Sequence, residues 1–219
     1  MIRLASGSPR RRELLALLGT PFEVAAADID ERAAVHPALA KAEAVARPGQ
    51  VTLAADTMIE LDGDRIGKPA DAADAAAMLR RLAGRTHIVR TEVAVVNGAG
   101  RPLRFGVRSA VTMRPADDIA IRAYVATEEP LDRAGAYAIQ GGGGALVESY
   151  AGCYANIVGL PLCHTFFALR RAGVAVPERP EPAFARAFGF TCPAWRIAYA
   201  QGRLLRDGAE YDATGEVRR

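Results

Sequence analysis

The sequence is poor in aromatic residues and cysteine, and each shortage removes a class of function. Only 6% of its 219 residues are aromatic, and none interleaves with its one dense basic run, Arg10-Arg11-Arg12. A single-strand groove built on base stacking needs that interleaving, so no nucleic-acid partner is expected. Net charge is only +3, too mild for bulk binding to nucleic acid or a membrane surface, yet compatible with a local basic cleft. The three cysteines, Cys153, Cys163 and Cys192, make no CxxC pair and leave one over if two are bridged. A zinc ribbon and a disulfide framework are therefore not indicated, and a reducing cytoplasm is the expected setting. There is no secretory apolar segment and no run long enough to span a bilayer, so no membrane partner is expected. His36, His87 and His164 lack metal-ligand spacing, and neither a GxSxG motif nor an internal repeat is present.

What is present reads as an α/β chain. Met1–Ala5 is a short apolar run, expected as a first strand. Ser8 at the N-cap, Pro9 at the first helical position and Gly19 as the stop define a helix over 9–18, with Leu14, Leu17 and Leu18 toward the core. A second strand is expected over Phe22–Ala27, and a short helix carrying Lys41 over Ala38–Ala46. Thr52–Ala55 reads as a buried strand running into Asp56-Thr57, followed by a turn over 61–66 and a helix over 72–83. Ile88–Val96 and Leu103–Met113 form a hairpin pattern, a helix follows over 118–127, and Ala145–Ser149 is a further candidate strand. Pro161 opens a helix to about Arg171. From Pro177 onward Pro180 and Pro182 punctuate the chain, which divides it into 1–176 and an appendage over 177–219 with a small hairpin around Arg206-Asp207-Gly208.

The chemistry concentrates in a few places. Three arginines stand on the first turn of a helix, where the dipole favours acids and cations cost stability. A strand, a Ser-Gly-Ser loop and a helix N-terminus are also where α/β proteins place phosphates, and a bound polyphosphate would reverse that cost. Asp56 follows the apolar Leu53-Ala54-Ala55, a place for catalytic carboxylates but also for ordinary turn residues. Gly67-Lys68-Pro69 fails as a P-loop, because GxxxxGK[ST] needs another spacer and a hydroxyl where Pro69 stands. Asp28, Asp30 and Glu31 are candidate Mg²⁺ ligands or simply an acidic turn. Gly141–Gly144 is either a loop for close backbone approach to a ligand or a flexible turn.

Taken in order, LASGSPRRRELL (4–15), AADIDE (26–31), LAKAEAV (39–45), AADT (54–57), GKP (67–69), AGAYAIQG (134–141) and NIVGLPL (156–162) resemble the motifs of the Maf family of nucleoside triphosphate pyrophosphatases. The resemblance covers about residues 2–172. It implies a Maf/ITPase-like elongated α/β fold, a twisted mixed β-sheet with flanking helices forming two lobes around a nucleotide cleft. It implies hydrolysis of a nucleoside triphosphate to monophosphate and pyrophosphate with a divalent cation, Mg²⁺ or Mn²⁺. By the same resemblance Asp56 is the proton acceptor, and Lys68, Lys41 and Glu31 are catalytic. Ser8 and Arg11 bind substrate, and Asp56 with Glu31 holds the metal. Arg10, Thr57 and Gln140 occupy positions that sort base preference, and that set resembles the branch acting on dTTP and UTP. Pool cleansing of modified nucleotides is the implied role, with a homodimer as the candidate assembly.

Some features depart from the family pattern. The segment from Glu31 to Lys41 is short, Arg133 stands where a lysine is usual, Ala138 replaces a glycine, and the tail from Pro177 has no counterpart. Competing readings are a pyrophosphatase for 7-methyl-GTP or another modified nucleotide, and a nucleotide-binding regulator of septum formation with little turnover.

Overall fold

The protein is described by a computed structural model over residues 1–31, 33–98 and 102–213. The apolar N-terminus forms β1 (Ile2–Leu4), and the Ser8-Pro9 start forms α1 (Pro9–Ala16) with Ser8 as its N-cap. Gly19 ends the exit turn with φ +67. Strand β2 is confined to Phe22–Val24, leaving 25–31 as loop, and α2 (Pro37–Ala44) carries Lys41. Strand β3 (Val51–Leu61) turns through Asp62 and Gly63, both at positive φ, into β4 (Asp64–Ile66), as a two-residue hairpin turn requires. Then come α3 (Ala72–Leu82), β5 (Thr86–Val96), β6 (Leu103–Met113) and α4 (Asp118–Val125). Three 3₁₀ turns lead to β7 (Val147–Ala151), α5 (Tyr154–Val158) and α6 (Leu162–Arg171). The helix α5 was not expected from sequence; at five residues it is too short to show a helical period.

The strands make one mixed sheet in the order β2-β1-β3-β5-β6-β7, with β4 on β3 and β8 (Ala209–Asp212) on β6. β1 is parallel to β2 and β3, and the central β3, β5 and β6 are antiparallel. Each central strand has 11 residues, a length of about 36 Å. That is long enough to serve two cores on one face. Leu53, Ala55, Val93, Val95, Phe105 and Val107 join α1 and α6 in one core. Ile59, Leu61, Val89, Val111 and Met113 join α3 and α4 in the other. The opposite face is covered at one end by α2, whose Ala38 and Ala42 pack on Ala54 and Ala94.

Two local expectations are corrected. Asp56 is not at the end of a strand: β3 continues five residues past it, because Ile59 and Leu61 alternate onto the second core and extend the apolar pattern. Arg206-Asp207-Gly208 is not a hairpin but a turn into β8, which lies parallel on β6; Arg104 N donates to Asp207 Oδ1 (2.9 Å) and Gly208 N to Arg104 O (2.6 Å). The β5–β6 connection at 99–101 lies outside the described residues. No helix among the described residues is long and apolar enough to cross a membrane.

Residues 178–213 fold against the rest. Beside β8 they form α7 (Pro180–Phe188) and α8 (Trp195–Arg203), and Phe184, Cys192, Ala194, Leu205 and Ala213 are buried in the first core. Phe184 and Leu205 alone contribute about 1.5–3 kcal/mol each by burial. A chain ending at Val176 should therefore melt roughly 10 °C or more lower, as thermal circular dichroism would measure.

Two buried histidines tie stability to pH. Burial lowers His87 and His164 to about 4 from their ordinary 6.5. The folded chain keeps them neutral while the unfolded chain takes up protons below 6.5. Stability is thus complete above that value and falls as pH drops toward 4, by up to ~1.4 kcal/mol per pH unit for each histidine. Melting at pH 7 and pH 5 should show the fall, and His164→Gln should remove about half of it.

Candidate active site

The cleft lies where β3 changes partner along one edge. β1 pairs with β3 only as far as Leu4 against Leu53, and the pairing of β4 along β3 starts only at Ile59, against Ile66. Between them 54–58 has no strand on that edge among the described residues. Side chains from both faces of the sheet reach the gap, Asp56 from one and Thr57 from the other. The loop from β1 into α1 and the Gly67-Lys68 turn after β4 flank it. The resulting cavity is about 1080 Å³, and all of Ser8, Arg10, Arg11, Glu31, Lys41, Asp56, Thr57, Lys68 and Gln140 line it. Arg12 and Asp28 do not.

On one wall Lys41 reaches down from α2, almost wholly buried. Its Nζ donates to Asp56 Oδ1 at 2.7 Å and meets Glu31 Oε1 at 2.9 Å. An ammonium has three N–H donors, so one is left for a ligand. The pairing also explains how Asp56 is kept with its side chain only 12% exposed: a buried charge is tolerated when it is paired. Glu31 is about half exposed at the cleft mouth. Two carboxylates, each with an oxygen beyond Lys41, match the donor set of Mg²⁺ or Mn²⁺ when phosphate oxygens and water complete the shell. No cluster of three or more His, Cys, Asp or Glu side chains suited to a metal occurs among the described residues.

The other wall is an anion site. Ser8 caps α1 by position but makes no side-chain cap bond, and no acid sits in the first turn. The free N–H groups and the positive end of the helix therefore face the cleft without an internal anion. Arg11 is held by three acceptors: Nε donates to Gly159 O (3.0 Å), Nη1 to Ser6 Oγ (3.3 Å) and Nη2 to Thr57 Oγ1 (3.1 Å). Its pKa is lowered by burial, against the pull of Asp56 and Glu31. Gly159 has φ +123, a backbone conformation that glycine adopts without strain. Arg10 is also lowered by burial and by Arg133 across the cleft. Lys68 Nζ bonds Asp132 Oδ1 (2.5 Å), whose other oxygen meets Arg133 Nη1 (3.3 Å). Burial raises the Asp132 carboxyl, but the Lys68 bond and the Arg133 and Arg10 charges outweigh it, leaving Asp132 below its usual range. Gln140 stands exposed on the rim.

The four-glycine run has a structural cause. Added Cβ atoms at Gly141 and Gly142 would meet the Glu129 carboxylate, and at Gly143 and Gly144 the backbone of Ala138 and Ile139. Gly142 N donates to Glu129 Oε2 (2.9 Å). The close approach is to the protein's own chain, and it sets the loop that presents Gln140.

Sequence reading missed Asp132, which neutralises the lysine side of the cleft, and the buried partners behind Thr57. Thr57 Oγ1 lies 3.0 Å from Thr91 Oγ1, and Thr91 Oγ1 donates to Asn156 O (2.9 Å). Their signal was available: Thr57 and Ser109 each interrupt an otherwise apolar strand face, and Thr91 stands among the apolar Val89, Val93 and Val95.

A mixed α/β sheet whose edge gap brings a lysine-paired carboxylate opposite an arginine-bearing helix N-terminus defines a protein built to handle phosphate-bearing ligands. The chain belongs to the Maf-like protein family, whose model matches residues 1–172. It is 50% identical over 190 residues to a protein of Anaeromyxobacter dehalogenans (strain 2CP-1 / ATCC BAA-258) named dTTP/UTP pyrophosphatase, covering 81% of this chain and 97% of that one. Proteins of the same name from Myxococcus xanthus (strain DK1622; 47% over 190 residues, 82% and 96% covered) and Aromatoleum aromaticum (strain DSM 19018 / LMG 30748 / EbN1; 46% over 199, 78% and 95%) are also similar.

The two neighbouring arginines should behave differently. Arg11→Lys removes the planar fork from the cleft, whereas Arg12 is exposed outside it. Calorimetric binding of pyrophosphate should weaken by about tenfold or more in Arg11→Lys. In Arg12→Lys it should stay within about twofold.

Proposed function

We propose that the chain hydrolyses dTTP and UTP to the monophosphate and pyrophosphate. The observation that carries this reading is the pairing of Lys41 with Asp56 in the β3 edge gap, facing Arg10, Arg11 and the α1 N-terminus across one cleft. The names of the relatives supply the substrate class.

The triphosphate lies against Ser8, Arg11 and the free N–H groups of α1. Substrate phosphate competes with Asp132 for Lys68, so the lysine exchanges one anion for another. Asp56 has one oxygen held by Lys41 and takes the proton of the water that attacks the α-phosphorus. Lys41 is fixed at its two carboxylates, and its third N–H, with Lys68 and Arg11, offsets the charge that builds on pyrophosphate as it leaves. Positioning and charge neutralisation carry most of such a reaction. Glu31 and Asp56 would hold Mg²⁺ or Mn²⁺, which would add further neutralisation of the phosphate oxygens.

Base choice falls to Arg10 and Gln140, with Thr57 contributing through its bond to Arg11. A glutamine amide both donates and accepts, which suits a pyrimidine edge bearing one N–H between carbonyls. Three unpaired, buried cysteines fit a reducing cytoplasm as the place of action.

The test is pyrophosphate release from dTTP, UTP, CTP and 7-methyl-GTP with Mg²⁺ or Mn²⁺. Turnover should be greatest on dTTP and UTP and should stop on chelation with EDTA. Asp56→Asn should lose about 10²- to 10⁴-fold in kcat, the range for a general base, with its melting curve preserved. A preference for 7-methyl-GTP would overturn the substrate assignment, and full activity in Asp56→Asn would overturn the role of the carboxylate.

A further inference from the structure

On the sheet face that carries both cores, each long strand bears one hydroxyl side chain: Thr57 on β3, Thr91 on β5 and Ser109 on β6. They fall at the boundary between the cores, with Ala55, Val93 and Val107 on one side and Ile59, Val89 and Val111 on the other. Thr91, Ser109 and Asn156 are all wholly buried. A buried hydroxyl costs stability unless it is satisfied, so the row calls for a purpose beyond packing.

The hydrogen bonds in this row run in one direction. Arg11 can only donate, and the Asn156 carbonyl can only accept. Thr91 gives its single proton to Asn156 O, so the proton between the two threonines belongs to Thr57. The lone pairs of Thr57 Oγ1 are then turned toward Arg11 Nη2. The chain reads Arg11 to Thr57 to Thr91 to Asn156, donor to acceptor throughout. Asn156 also fixes the second anchor of the guanidinium. Its Nδ2 donates to Val89 O (3.1 Å) and Ser109 Oγ (3.0 Å), which pins α5 to the sheet, and Gly159, whose carbonyl takes Arg11 Nε, follows directly after α5. With Ser6 as third acceptor, the guanidinium keeps one N–H on each terminal nitrogen for an anion.

We propose that Thr91 and Asn156 are positioning residues for substrate: through a one-way hydrogen-bond chain and the α5 anchor, they orient the phosphate-facing edge of Arg11 from inside the boundary between the two cores. The proposal rests on the reading of Arg11 as a phosphate ligand. Neither residue lines the cleft, and both are wholly buried, so they act through Arg11. Without the Thr91 oxygen, the Thr57 proton has no fixed acceptor and its lone pairs are no longer held toward the arginine.

Thr91→Val keeps the side-chain shape and removes the hydroxyl, and Asn156 O still accepts from Gly159 N (3.0 Å). On dTTP, Thr91→Val should raise KM about tenfold, the worth of one hydrogen bond to a charged group, with kcat changed less than about threefold. Thr91→Ser should restore the wild-type KM. In an Arg11→Lys background, Thr91→Val should add less than about twofold, because the group it orients has been replaced. A silent Thr91→Val beside an impaired Arg11→Lys would overturn the proposal, as would a full tenfold effect of Thr91→Val in the Arg11→Lys background. An unchanged KM in Arg11→Lys would overturn the phosphate reading of Arg11 itself, and the proposal with it. Should Thr91→Val fail to give a cooperative melt, Thr91→Ala removes the same hydroxyl without putting a methyl in its place and is held to the same outcomes.

Discussion

The structure depends on three adjacent strands, each long enough to be shared by two cores. β3, β5 and β6 give one end of their buried face to α1 and α6 and the other end to α3 and α4. Because the same backbone ladders run through both, the lobes are held in fixed relation by the sheet itself. The cleft opens where the sheet edge loses pairing between β1 and β4, and nowhere along the ladder. Ligand groups can then be placed on a rigid strand rather than on a loop, and Asp56 profits from that.

Charge pairing follows from the same geometry. Asp56 lies on the face covered by α2, where an unpaired carboxylate would be costly, so a lysine from that helix accompanies it. Thr57, its neighbour, points the opposite way and serves the other wall. One strand position and the next thus divide the work: one holds the carboxylate, the other fixes the arginine. Arg10 and Arg11 on the first turn of α1 have the same logic. Their cost at a positive helix end is accepted because they and the helix face a cavity that can hold an anion. Until one arrives, Asp132 supplies a negative partner for Lys68 and Arg133.

The tail shows how an edge can be put to use. β6 pairs with β5 along one side, and on its other side β7 covers one end and β8 the other. An unpaired edge in a central, long strand is a liability, and β8 covers it while α7 and α8 bury Phe184 and neighbouring aromatics. Its proline punctuation marks helix entry rather than looseness: Pro180 is the first residue of α7.

By itself the sequence determined the local pieces: the Ser8-Pro9 helix start, the alternating strands, the Asp62-Gly63 turn, and the ordered motifs whose charged residues line one cleft. These are set by neighbours in the chain, through caps, periodicity and turn geometry. The sequence could also have marked Thr57, Thr91 and Ser109 as breaks in apolar alternation, but not what they were for. Only the tertiary structure decided that Asp56 lies in mid-strand, that α5 forms at all, that the tail joins the sheet, and that a hydrogen-bond chain runs from Arg11 to Asn156. Each of these is settled by partners up to 148 positions away in sequence, as in the bond from Arg11 to Gly159. A buried donor or acceptor must find a partner wherever the fold brings one, and local pattern carries no information about that distance.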